Sequence, residues 1–264
     1  MEPITIIVFI MAGIIGLCVG SFLNVVIYRT PNGMSLAKPA SHCPKCKNPI
    51  KWYDNIPILS YIFLKGKCRH CKEHISFRYT IVEILNALLW MFTVYMFWER
   101  SIVYSIIIML VCSVFVCIFF IDMEHLIILD RFQLILLALA ILNIFFEIDK
   151  DLTWDSKLFG MLGVGGLFLI IHYACLIIFK KEAIGGGDIK LIAIMGLLLG
   201  FTNAVIAIIF ACIIASFVII TSSLFKGFKK GKEYPFAPFL VIGSLISIFF
   251  GSIIYMVYND LFIL

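Results

Sequence analysis

Long apolar runs, uninterrupted by any charged residue, decide what this chain can fold into. Pro3–Tyr28 is the first, and Ile84–Trp98, which can be extended back through Tyr79 across the single charge of Glu83, is the second. Ser101–Ile121, Phe132–Phe146 and Leu158–Phe179 follow. Leu191–Phe225 is too long for one crossing and carries a break signal at Gly200-Phe201-Thr202-Asn203, and Tyr234–Asn259 is the last. In hydrocarbon every backbone N–H and C=O must be bonded within the chain, so only helices and closed barrels cross a bilayer. A helical crossing takes about 20 consecutive apolar residues, whereas barrel strands alternate. These runs do not alternate, so the expected fold class is an all-α polytopic membrane protein with about eight transmembrane helices. A composition of 62% hydrophobic and 14% charged residues argues against a soluble domain of this length.

The charges give the topology. The opening MEPITIIVF has no basic residue ahead of the first run, which reads as a retained helix and not as a signal peptide. With the N-terminus outside, the loops alternate, and all but three of the 21 Lys and Arg (Arg100, Lys150 and Lys157) fall on the inner side. The acidic stretch EIDKDLTWD, 147–155, falls on the outer side. This is the positive-inside pattern, with both termini outside. The net charge of +5 is therefore a topology signal, and the scattered basic residues do not form a nucleic-acid footprint. No internal repeat or low-complexity tract is present. The expected organisation is a first transmembrane helix at 1–28, a cytoplasmic loop domain at 29–78 and a seven-helix membrane domain at 79–264. Polar chemistry gathers in three inner loops, 29–78, 122–131 and 180–190.

Four of the nine cysteines form two pairs, Cys43-x-x-Cys46 and Cys68-x-x-Cys71, with 21 residues between the pairs. Two-residue spacing lets both thiolates of a tight turn reach one ion, and two such turns complete a tetrahedral zinc site. Two disulfides are the alternative, disfavoured on the cytoplasmic side. Four sulfur ligands leave no open position, so such a zinc holds the loop together and does not catalyse. His42, His70 and His74 read as solvated neighbours. Cys18, Cys112, Cys117, Cys175 and Cys212 lie in the apolar runs and read as packing.

Two carboxylates stand at the inner membrane border. Asp122 ends the third run, in FFIDMEHLIILDRF, and Asp188 opens the sixth, in AIGGGDIKLIAIMG. An ionised carboxylate beside hydrocarbon is costly unless hydrated or paired, which makes both functional candidates. Singly, Asp188 reads equally as a helix-start acid and Asp122 as a border residue. Together they suit aspartic-protease chemistry, in which two carboxyl groups share one proton: one takes a proton from water while the other donates to the peptide carbonyl. Gly185, Gly186 and Gly187 give close approach to another backbone or a substrate strand. Glu124, His125 and Asp130 read as border or supporting groups, and Lys190 as a snorkelling anchor.

In this order, the segments resemble the bacterial type IV prepilin peptidases, the leader peptidase and N-methyltransferase enzymes. GSFLNVVIYR (20–29) is similar to the family's opening, and both CxxC pairs flank WYDNIPILSY (52–61). ISFRYTIVE (75–83) resembles the end of its cytoplasmic domain, Asp122 opens a stretch like the family's first aspartate motif, and Gly185-Gly186-Gly187-Asp188 fits its GxGD signature. PFAPFL (235–240) is similar to the motif before its last helix. Leu129 and Thr80 stand where the family often has proline, and Ala237 where it has glycine.

The resemblance implies a prepilin or pseudopilin substrate with a short basic leader and one hydrophobic helix, cleaved after the leader's terminal glycine at the cytoplasmic face. It implies Asp122 and Asp188 as the catalytic dyad, and methylation of the new N-terminal amine with S-adenosylmethionine. No strand–glycine-loop–helix fingerprint for that cofactor is present in the sequence. The location implied is the inner membrane of a bacterium, with zinc loop and active site facing the cytoplasm. A transporter whose acids carry protons or cations, with a zinc-stabilised loop, is the alternative, but it would place carboxylates deep within several spans, on discontinuous helices. A zinc-loop adaptor explains the cysteines and leaves both aspartates unused.

Overall fold

The computed structural model describes residues 3–146, 153–180, 184–226 and 234–262. Residues 147–152 of the acidic connection, with Lys150, lie outside the described residues, as do Ala183 and the basic stretch 227–233.

Helices fill the places the apolar runs mark. They are α1 (Pro3–Arg29), the short α2 (Leu59–Phe63), α3 (Arg78–Phe97), α4 (Ile102–His125) and α5 (Asp130–Phe145). Then come α6 (Trp154–Phe159) and α7 (Gly165–Phe179), joined by the π-helical turn Gly160–Val164, and α8 (Gly186–Leu199), α9 (Phe201–Lys226) and α10 (Ala237–Phe262). Among the described residues six helical stretches are long and apolar enough to cross a membrane, with Trp154–Phe179 counted as one. The other two runs form α5 and α8, which at 16 and 14 residues are shorter. The break expected in the long run falls at Gly200, whose φ of 76° turns the chain between α8 and α9. A residue with a Cβ adopts that conformation only at a cost.

The chain divides into two compact units, Met1–Cys117 and Ile118–Leu264, with the division inside α4. In the first unit, α1 and α3 run antiparallel and in backbone contact. Gly13, Gly16 and Gly20 line the contact: a Cβ at Gly16 would lie 2.8 Å from Ala87 Cα, and one at Gly20 would lie 2.7 Å from Glu83 Cα. Lipid tails give helices no hydrophobic reason to associate, so close packing and buried hydrogen bonds must hold them. Asn24 Nδ2 donates to Tyr79 O at 2.9 Å, and Asn86 Nδ2 to Gly16 O at 2.8 Å. Ser113 of α4 donates to Asn86 Oδ1 and accepts from Trp90 Nε1, which ties a third helix to the pair. Beside this network Ala12, Val94 and Met109 form a small core.

The second unit repeats the small-residue solution. Gly160 of the π turn and Gly196 of α8 touch backbone to backbone, and Gly165 packs on Ala193. Gly243 of α10 sits on the backbone of Ala207 in α9, and Ser247 donates to Asn203 O at 2.6 Å.

The glycine stripe of α1 makes a direct prediction. Gly16→Leu overpacks the α1–α3 contact at a cost of about 1–3 kcal/mol, so thermal unfolding of the purified full chain in detergent shifts to lower temperature. Ile14→Leu, at an exposed position, leaves the transition where it was. An unchanged Gly16→Leu melting curve would contradict the close packing.

Candidate functional site

Both candidate carboxylates belong to the second unit. α4 runs one turn past its expected end, to His125, so Asp122 sits within the helix and is buried. Leu126 stops the helix in a left-handed conformation, φ 55°, its N–H donating to Asp122 O at 3.0 Å. The backbone N–H of Ala237, at the start of α10, hydrogen-bonds the Asp122 carboxylate. The other oxygen, Oδ2, is buried without a hydrogen-bond partner among the described residues. Such atoms are rare in folded proteins, because an unsatisfied buried acceptor is costly.

Asp188 occupies the first turn of α8, after the N-cap Gly185, and is half-buried. A Cβ on Gly185 would stand 3.1 Å from Asp188 Oδ2, and one on Gly187 would stand 3.3 Å from Ile128 Cβ. Two of the three glycines therefore make room, one for the carboxylate itself and one for the loop after α4. Asp122 and Asp188 lie within electrostatic reach of each other, like charge against like. The structure thus brings together the two acids that the sequence set 66 positions apart, as the residue numbers give.

Three further side chains hold the glycine loop. Gln133 of α5, buried, donates from Nε2 to Gly187 O at 2.8 Å. His172 of α7 hydrogen-bonds Ile184 O through Nδ1 at 2.9 Å. Lys190 pairs with Asp130 at 2.8 Å, joining the first turns of α8 and α5. Both ends of that pair are exposed, so it adds little stability. Gln133 and His172 were not singled out in the sequence reading. Their one visible signal is that each is a rare polar side chain in an otherwise apolar run, Gln133 sharing its run with Asn143.

The second candidate centre lies in the first unit. The Sγ atoms of Cys43, Cys46, Cys68 and Cys71 all lie within 4.8 Å of one another. Both turns are built alike: Lys47 N donates to Cys43 O and Lys72 N to Cys68 O, with Lys47 and Lys72 both left-handed. Cys43 and Cys71 are 3.8 Å apart. Zn–S bonds of about 2.3 Å give a tetrahedron with edges of about 3.8 Å, far longer than a disulfide. All nine cysteines are unpaired in the structure, and four sulfurs gathered about one point fit a single ion better than two separate disulfides. The N–H groups of Cys71 and His70 pull the Cys68 thiol down to about 7, while, against a backbone hydrogen bond from Glu73, burial and the neighbouring sulfurs push the Cys71 thiol up to about 11, so the cluster titrates as one linked group. Among the described residues between α1 and α3, Cys43 is the one buried hydrophobic side chain. A segment with so little core fits a metal staple. The three neighbouring histidines stay outside the cluster.

Near the end of α1 a cavity of about 420 Å³ is lined by Ser21, Arg29, Ser41 and Asn55 among others. The Arg29 guanidinium, buried and bonded to Ser35 O and Leu36 O, could face a carboxylate. No Asp or Glu lines the cavity to receive the ammonium and ribose hydroxyls of S-adenosylmethionine. The cavity is therefore not complementary to that cofactor, and no methyl-transfer step is assigned to it.

Residues 14–97 match the family model of the bacterial peptidase A24 N-terminal domain, and residues 109–220 match that of the type IV leader peptidase family. A type 4 prepilin-like proteins leader peptide-processing enzyme of Escherichia coli is 31% identical, over 92% of this chain and 94% of that one. A prepilin leader peptidase/N-methyltransferase of Dichelobacter nodosus is 32% identical over 91% of both chains. One from Myxococcus xanthus is 36% identical over 75% of this chain, and the match spans 58% of that relative's length. No solved structure matches. The first family model takes in both cysteine pairs and the second takes in both aspartates, and the chain belongs to the type IV leader peptidase family.

Proposed function

We propose that this chain is a prepilin leader peptidase of a bacterial inner membrane. In this reading it removes the leader of type IV prepilin-like substrates at the cytoplasmic face through Asp122 and Asp188. The observation that carries it is the pairing of these two acids, one in α4 and one behind the tri-glycine loop, within electrostatic reach. Charge asymmetry supports the orientation: 29–78, 122–131 and 180–190 share the Lys/Arg-rich side. A prepilin-type substrate has its leader on that side and its helix in the bilayer, which brings the scissile bond level with the dyad.

The chemistry needs one proton shared between two carboxyl groups. The ionised carboxylate takes a proton from water as the water oxygen bonds to the scissile carbonyl carbon. The protonated partner gives its proton to the carbonyl oxygen. When the C–N bond breaks, the amine nitrogen receives a proton from the dyad, and a carboxylic acid and a free amine leave. Oδ2 of Asp122, buried and without a hydrogen-bond partner among the described residues, is the oxygen left to bond the reacting water or the partner acid. Gln133 and His172 act as positioning residues, since each fixes a carbonyl of the loop that carries Asp188.

N-methylation of the new terminus is part of the proposal on the strength of the relatives' names. S-adenosylmethionine supplies the methyl group when bound, and no residues of this chain are assigned to it. The zinc reading rests on the four-sulfur cluster, with a structural role in a loop domain, 29–78, between the first helix and the membrane domain, 79–264.

Cleavage is tested by co-expressing a type IV prepilin and blotting for leader loss at matched membrane levels. Asp122→Asn and Asp188→Asn each reduce cleavage by about 10²–10⁴-fold; activity persisting in either variant sinks the two-aspartate mechanism. Intact activity in both, with altered proton or cation flux, would instead favour the transporter alternative.

Gln133→Leu removes one hydrogen bond behind Asp188 and lowers kcat by about 5–10-fold, with KM unchanged. Gln133→Asn recovers part of that loss. An effect on KM alone would place Gln133 in substrate binding.

Elemental analysis of the purified chain should find one zinc per molecule, and Cys43→Ser and Cys68→Ser should each lose it. Limited proteolysis then cuts within 29–78 in the variants and not in the parent. A metal-free parent with a protease-resistant loop would refute the zinc staple.

A further inference from the structure

The loop between α1 and α3 carries an apolar face that its own unit leaves uncovered. Leu59, Ile62 and Phe63 follow the i, i+3, i+4 spacing of one helix face, and all are exposed, Phe63 at 79%. Trp52, in the preceding 3₁₀ turn Trp52–Asn55, is 80% exposed. The opposite face of α2 is occupied: the Tyr61 ring packs on Phe77 with centroids 5.7 Å apart. Lys51 and Lys65, both exposed, flank this segment in sequence, and the Lys51 ammonium lies over the Tyr53 ring, 5.6 Å from its centroid.

One hydrogen bond fixes the depth of this face. The N–H of Ile58, the residue before α2, donates to Glu83 Oε2 at 2.9 Å. Glu83 lies five residues into α3, about 7–8 Å along its axis at 1.5 Å per residue. α3 has 20 residues, about the length the hydrocarbon core requires. With the Arg78 end of α3 at the edge of that core, Ile58 and the start of α2 are held just inside the hydrocarbon border, at the depth of an interfacial helix and not out in water.

We propose that α2 and the Trp52 turn lie in the headgroup–acyl boundary of the leaflet at the Arg29 and Arg78 ends of α1 and α3. Their partner is anionic phospholipid. An apolar face with an aromatic at each end and lysines flanking it in sequence has the composition of an interfacial anchor. The lysine stems lie along the apolar surface while their ammonium groups reach the phosphates. A face this apolar, tethered at this depth, has lipid as its nearest cover. The cysteine-rich loop is then a membrane-lying domain, pinned at the bilayer surface by its two flanking helices and by its own short helix. This placement does not depend on the peptidase assignment.

The test uses the full chain in nanodiscs of phosphatidylethanolamine and phosphatidylglycerol. p-Benzoylphenylalanine replaces Ile62 or Phe63, then Leu88, exposed in the middle of α3, and Lys45, exposed on the first cysteine turn. After illumination, intact mass reads phospholipid adducts. Variants are compared at equal zinc content, so that an unfolded loop is not scored. Positions 62 and 63 should give lipid adducts within about twofold of Leu88 and at least about tenfold above Lys45, enriched in phosphatidylglycerol over its share of the disc. Adduct yields at 62 and 63 no higher than at Lys45, with Leu88 labelled, would overturn the proposal. So would cross-links at 62 and 63 to a second copy or to a co-expressed prepilin in place of lipid, which would make the face a protein-docking surface.

Discussion

Within hydrocarbon no water is available to complete a hydrogen bond, and helix association gains nothing from excluding lipid. Everything in this chain that is precise depends on how it meets that constraint. Contact is made through glycine and alanine, where backbones can touch: Gly16 and Gly20 on α3, Gly160 on Gly196, Gly243 on Ala207. Buried polar side chains then bond the next helix, as Asn86 does to Gly16 O and Ser113. The two candidate carboxylates inherit their placement from this packing. α8 carries Asp188 at one end and is seated along its length by Gly196 and by Ala193 against Gly165.

The two candidate centres solve different problems. The membrane unit has abundant packing and needs only room and hydration at one border, which glycines supply. The loop between α1 and α3 has almost no core of its own. It relies on the four sulfurs, on the bidentate Arg69–Asp54 pair, and on the Ile58–Glu83 tether. Arg69 holds the Asp54 carboxyl below the usual carboxylate range, so that pair persists to mildly acidic pH. Its worth is small because the Arg69 end is half-exposed and screened by solvent. The four-sulfur cluster is left as the main cross-link between the two halves of the loop.

Much of this was legible in the sequence because the signals were local. Unbroken apolar runs fix where helices lie, C-x-x-C spacing fixes the two sulfur turns, and Gly200 marks the break between α8 and α9. What was not legible depends on partners distant in sequence. Nothing local says that α4 continues through Asp122 to His125, since Met123, Glu124 and His125 look like loop. Gln133 and His172 matter only through carbonyls on the glycine loop. Ala237, which departs from the family's usual glycine, contributes its backbone N–H to Asp122, a role any residue but proline can fill. The departure therefore costs the site nothing. Lys157 read as an outer-loop charge, yet it is fully buried, with Nζ donating to Asn143 O.

That buried lysine belongs to a wider pattern in how helix ends are used. The last carbonyls of a helix have no partner within it, and its C-terminal end attracts positive charge. Asn143 lies in the last turn of α5 and receives Lys157, while its own Nδ2 donates to Leu198 O in the last turn of α8. One pair of side chains thus closes the C-terminal ends of two short helices. At their N-terminal ends the polarity reverses. Asp188 stands in the first turn of α8, and Asp122 receives the first N–H of α10. Two helix N-termini therefore face the acid pair, so negative charge that water cannot fully solvate there meets oriented N–H groups. The shortness of α8 follows from the same arrangement. Its 14 residues are about 21 Å of helix, less than the hydrocarbon thickness, so its two polar ends cannot both lie outside the apolar layer. With the C-terminal end sealed by Asn143, the Asp188 end can remain open to water.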